Sequence, residues 1–103
     1  MVKWTDHALQ QLRHIHDYIV QDSPLYAKRV TDTMVRKTVG LDGLPYMGRK
    51  VTELDDDHIR ELGLYSYRII YEINNDTVEI LAVIHNRREL QAEEIFGGVE
   101  KNL

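Results

Sequence analysis

Within the stretch YRIIYEINNDTVEILAVIH, Tyr67 to His85, two side chains can do chemistry: Arg68 and His85. Arginine is a permanent cation with five donors in a planar fork, and histidine is the side chain whose protonation changes near neutrality. Held on one surface, they would combine charge stabilisation with proton transfer. Whether they meet depends on the hairpin that carries them, which reads as two apolar, β-branched runs joined by a polar turn. A two-residue loop at Asn75-Asp76 pairs Asn74 with Thr77, Ile73 with Val78 and Arg68 with Val83. His85 is then the diagonal neighbour of Arg68 on the same face, about 7–8 Å away between backbones. A three-residue loop would pair Arg68 with Ala82 and place charge on the core face, which the alternation rejects.

The same register sorts the rest of the hairpin. Ile69, Tyr71 and Ile73, with Val78, Ile80, Ala82 and Ile84, form an inner face expected to be core. Arg68, Ile70, Glu72, Glu79, Leu81, Val83 and His85 form the outer face, where Glu72 lies opposite Glu79. Structural readings stand beside the chemical ones. Arg68 can pair with Glu72 or an acid of the tail, and His85 can end a strand with its ring hydrogen-bonded. Arg87-Arg88, Arg49-Lys50 and Arg60 fit a solvated surface as well as contacts to a target or a phosphate.

The chain that positions these residues has 103 of them, enough for one domain that buries roughly two-thirds of its unfolded surface. Seventeen acids against thirteen bases give a formal charge of −4, so a generic grip on nucleic acid is not suggested. Residues up to Leu54 hold eight bases and six acids, and Asp55 onward eleven acids and five bases. The absence of cysteine excludes disulfides and thiolate metal sites and fits a reducing cytoplasm. His7, His14 and His16 match neither HExxH nor a Cys/His zinc pattern, so no metal or other cofactor is expected. No apolar run is long enough to span a membrane, and the N-terminus lacks the apolar stretch of a signal peptide.

Val2-Lys3-Trp4 reads as a short strand. Thr5 and Asp6 can cap a helix through about Gln21 whose stripe is Ala8, Leu12, Ile15 and Ile19. Asp22-Ser23-Pro24 ends that helix and starts a second, with Ala27, Val30, Met34 and Leu41 along its stripe, giving a helical hairpin. GLDGLPYMGRKV reads as a loop. Arg49-Lys50, with Val51 alternating with Leu54, suggests a strand, Asp55-Asp56-Asp57 a turn, and His58–Leu62 a further strand interrupted at Gly63. Glu89 to Phe96 reads as a short helix, and the rest to Leu103 as a tail.

The order helix, helix, GLPYMGR loop, then REL, YRIIYEI and VEILAVIHNRR resembles the ParE/RelE superfamily of type II toxin-antitoxin toxins, from about Val2 to Arg88. The resemblance implies an α+β fold of order β-α-α-β-β-β, an antiparallel sheet with the N-terminal helical hairpin packed on one face. It also implies a cytoplasmic protein held by a cognate antitoxin, whose C-terminal segment wraps the toxin at a sheet edge and beside the helical hairpin. The superfamily divides into a ParE-type branch that poisons DNA gyrase and a RelE-type branch that cleaves mRNA on the ribosome. Arg68 lies where nuclease members place a phosphate-stabilising arginine, and His85 where several place a histidine acid/base. Asn86 stands where some nucleases carry an aromatic residue, and an acidic chain is poorly suited to the anionic ribosome, so the gyrase branch is favoured. A binding module that only occupies its antitoxin is the remaining alternative.

Overall fold

The structure, a computed structural model, describes residues 1–86; Arg87, Arg88, the helix expected over 89–96 and the tail lie outside the described residues. Strand β1 (Val2–Trp4) leads into helices α1 (Asp6–Val20) and α2 (Pro24–Val39). Two short 3-10 turns, Gly40–Asp42 and Pro45–Met47, then carry the chain to β2 (Arg49–Lys50), β3 (Ile59–Leu64), β4 (Tyr67–Asn74) and β5 (Thr77–His85). The strands form one sheet in the order β1-β5-β4-β3-β2, antiparallel except that β1 runs parallel to β5. This is the expected α+β arrangement, with a mixed rather than wholly antiparallel sheet.

Local chemistry sets the helix ends. The Thr5 hydroxyl accepts from the Ala8 amide at 3.1 Å and donates to the Ile80 carbonyl at 2.9 Å, so one side chain caps α1 and ties it to β5. Ser23 accepts from the Tyr26 amide at 3.1 Å and Pro24 occupies the first turn of α2. The buried stripe Ala8, Val30 and Met34 packs with Leu41 against Ile69, Tyr71, Ile73, Val78, Ile80 and Val83. Tyr71 also pegs the loop before β2. Its buried hydroxyl donates to the Pro45 carbonyl at 2.7 Å and accepts from the Gly48 amide at 2.9 Å. A Cβ on Gly48 would lie 2.5 Å from that hydroxyl and 2.6 Å from the Glu61 carbonyl, so only glycine permits this approach.

The β4–β5 turn is the expected two-residue loop, with Asn74 opposite Thr77, Ile73 opposite Val78 and Asn75 in the left-handed region at φ 55°. Glu72 does face Glu79. Beyond Tyr71 the register departs from the strict alternation expected of it. Tyr71 pairs with Ile80, but Ile70 pairs with Ala82, so Leu81 is an extra residue in β5. A β-bulge of this kind reverses the facing of everything after it. Val83 turns to the helices, whereas Ala82 and Ile84, expected on that face, join Leu81, Ile70, Ile59 and Val51 in a second cluster on the reverse face. The Val83 amide donates to the Gln11 side-chain oxygen on α1 at 2.7 Å, so the helix satisfies a strand donor beside the bulge.

Two smaller differences lie before β4. The strand expected over Arg49–Leu54 stops at Lys50, because the Leu54 amide turns back to the Val51 carbonyl at 3.1 Å and both side chains fold onto the second cluster. Gly63 does not interrupt β3, which continues to Leu64 and turns at Tyr65-Ser66. Tyr65 takes a left-handed φ of 55°, a strained choice for an aromatic residue.

Candidate functional site

The bulge decides the geometry of the expected pair. Tyr67 is paired with His85 and Arg68 with Ile84. Successive residues of a strand point to opposite faces, so His85 lies on the helix-covered face and Arg68 on the reverse face. His85 stacks edge-on against Tyr67, with ring centroids 5.7 Å apart. The same-face neighbourhood expected for the two residues therefore does not form.

Arg68 is brought instead to Glu61 and Glu53. Its side chain is 9% exposed, and its Nε donates to Glu61, which is itself 3% exposed. Nη1 and Nη2 donate to the two oxygens of Glu53 at 2.8 and 2.9 Å, a two-pronged pairing of planar groups. Arg49 on β2 completes the arrangement by donating from Nε to the other Glu61 oxygen at 3.1 Å. Two arginines and two carboxylates thus alternate in a neutral chain, Arg49–Glu61–Arg68–Glu53. The hydrogen bonds from Arg68 outweigh the opposing effect of burial and hold the Glu53 carboxyl at about 2. Reciprocally, the bond to Glu53 pushes the Arg68 pKa further up, so its charge is permanent. Arg49, Thr52, Glu53, Glu61, Arg68 and Asn86 line a cleft of about 280 Å3 beside this chain.

The other candidate cations separate. Arg60, paired with Tyr71, belongs to the opposite face at the β2–β3 edge. There it donates to the Asp57 carbonyl at 2.9 Å and the Gly48 carbonyl at 3.3 Å, and its guanidinium lies 5.1 Å from the centre of the Tyr46 ring. Arg49 and Arg68 are therefore together, while Arg60 and His85 are each elsewhere. Sequence reasoning missed Glu53 and Glu61. One signal was available for Glu61: it alternates with Ile59 on the face that also receives Arg68, so a charge there needs a partner. Among the described residues, no group of three or more histidine and acidic side chains is disposed to hold a metal ion, and no helix is long and apolar enough to cross a membrane.

The chain thus sets a helical hairpin on one face of a small mixed sheet and an ion-paired chain of side chains on the other. The family model for the ParE toxin of the type II toxin-antitoxin system, parDE, matches residues 2–90, and the chain belongs to that family. It is accordingly the toxin component of a ParE-type module. A solved structure described as the chromosomal ParDE TA system from P. aeruginosa is similar in fold, with a TM-score of 0.68 at 22% identity over 82% of this chain and 92% of that one. No curated protein matches the sequence.

Proposed function

We propose that the protein arrests growth by poisoning DNA gyrase, without cleaving RNA, and that a cognate antitoxin binds and neutralises it. The observation that supports this reading over ribosome-dependent mRNA cleavage is the separation of Arg68 from His85. Cleavage by a 2′-hydroxyl needs a phosphate-stabilising cation and a proton donor around one phosphorus atom. Here the two groups face opposite sides of the sheet, and Arg68 directs Nε, Nη1 and Nη2 at carboxylates. The overall charge of −4 points the same way, because an acidic chain gains nothing from the field of an RNA surface. Membership of the ParE family supports the antitoxin partner.

Two assays on the protein expressed without its antitoxin test the proposal. Supercoiling by DNA gyrase should be inhibited with accumulation of cleaved DNA, and primer extension on translated mRNA should show no new 5′ ends. Codon-spaced mRNA cleavage with normal supercoiling would overturn it in favour of the nuclease. Normal growth on expression, with tight antitoxin binding retained, would favour a module that only occupies its partner.

A further inference from the structure

The two carboxylates that hold Arg68 are not equivalent. Glu61 lies within β3, is 3% exposed and is gripped on both oxygens, one by Arg68 and one by Arg49. Glu53 belongs to the turn after β2, its side chain is 26% exposed, and at the lip of the cleft it accepts from the outward fork of Arg68 and from the Thr52 hydroxyl beside it. A buried carboxylate on a strand is fixed by the fold, whereas one on a surface turn can exchange its hydrogen bonds for those of water through a short rearrangement.

We propose that Arg68 and Arg49 form an anion-binding site for an acidic side chain of a protein partner, and that Glu53 occupies this site as an internal stand-in until the partner displaces it. Three observations carry the assignment. The geometry is that of carboxylate recognition, since both Glu53 oxygens lie within 2.9 Å of the Arg68 fork. With Glu53 swung out, two arginines and Glu61 leave a net charge of about +1, which one carboxylate neutralises and a doubly charged phosphate would overfill. Arg49, 76% exposed, stands at the rim where an entering anion arrives first. A nucleic-acid phosphodiester also carries one charge, but Asp55, Asp56 and Asp57 follow directly on the same loop and repel a polyanion. The inference is independent of the gyrase reading, because it concerns partner binding and not the target.

The test uses the whole chain, with acetate as the carboxylate probe, dimethyl phosphate as the phosphodiester probe and chloride as the ionic control. Binding is followed through the Arg68 Nε–H resonance. In Glu53→Ala, acetate should bind saturably and at least roughly tenfold more tightly than in the unaltered chain, where tethered Glu53 competes at high effective concentration. Glu53→Gln, which keeps the side-chain shape and loses the charge, should fall between the two and serves if the alanine variant folds poorly. Adding Arg49→Ala to either variant should weaken acetate binding severalfold. Acetate indistinguishable from chloride in both variants, or affinity unchanged by Arg49→Ala, would overturn the site. Tighter binding of dimethyl phosphate than of acetate would overturn the assignment to a protein carboxylate.

Discussion

On the helix-covered face, Ile69, Tyr71, Ile73, Ile80 and Val83 meet Ala8, Val30 and Met34 in a cluster without a charged side chain, whereas the reverse face sets Arg68 and Glu61 beside Ile59, Ile70 and Ile84. The first cluster is held by apolar area removed from water, which is insensitive to pH and tolerant of small shape changes. The second depends on each buried charge finding its partner, so it fails abruptly when one is removed. One sheet therefore has a face that resists perturbation and a face that registers it, and the candidate binding site lies on the latter.

Removing a charge should separate the two faces most sharply. Arg68→Ala leaves Glu61 buried with half of its pairing, at an expected cost of about 3–5 kcal/mol, read as a lowered midpoint in urea unfolding. A loss below 1 kcal/mol would mean that the reverse face is not held by its ion pairs. Met34→Ala, at a fully buried position on α2, should cost about 2–4 kcal/mol through lost packing, with a pH dependence unchanged from that of the unaltered chain. Tyr71→Phe keeps the ring and strips the hydroxyl from the Pro45 carbonyl and the Gly48 amide. It should cost about 1–3 kcal/mol and speed hydrogen exchange at Gly48.

Acid should act on the reverse face through Glu53. The folded-state pKa of Glu53, about 2, lies below its ordinary value of 4.5, so its contribution is complete above about pH 4.5 and is lost as the pH falls toward 2. Thermal midpoints of the unaltered chain and Glu53→Gln should differ at pH 6 and converge as the pH approaches 2; parallel curves would show that Glu53 is not coupled to Arg68. Smallest of all, Lys28→Ala should produce no measurable change in the midpoint, because its pair with Asp32 is solvent-exposed on α2.

Much of the fold was legible because local chemistry and periodicity agreed. Thr5 and Ser23 marked the helix starts, Ala8, Val30 and Met34 marked the buried stripes, and Asn75-Asp76 fixed the turn. Near that turn the alternation Ile73, Tyr71, Ile69 against Val78, Ile80 gave the correct pairing as far as Tyr71. Beyond it, Ile80-Leu81-Ala82-Val83-Ile84 is apolar without interruption, so either parity satisfies a buried strand and the sequence carries no mark of the extra residue. The information lies off the strand, in Gln11, which takes the Val83 amide, and in Val51 and Leu54, which give Ala82 and Ile84 apolar company on the reverse face. The candidate site was legible only in its cations, because Glu53 reaches Arg68 from a turn whose path no periodicity predicts. β1 likewise gave no sign of its parallel pairing with β5, since three residues fix a strand but not its neighbour.

Everything functional drawn from the hairpin rests on the one extra residue that turns Arg68 away from His85. Cross-strand backbone nuclear Overhauser effects in the isotopically labelled protein measure this register directly. The expected contacts pair Ile70 with Ala82 and Arg68 with Ile84. Contacts pairing Ile70 with Leu81 and Arg68 with Val83 would instead restore the unbroken register, return the arginine and the histidine to one face and remove the ground for preferring gyrase to RNA cleavage.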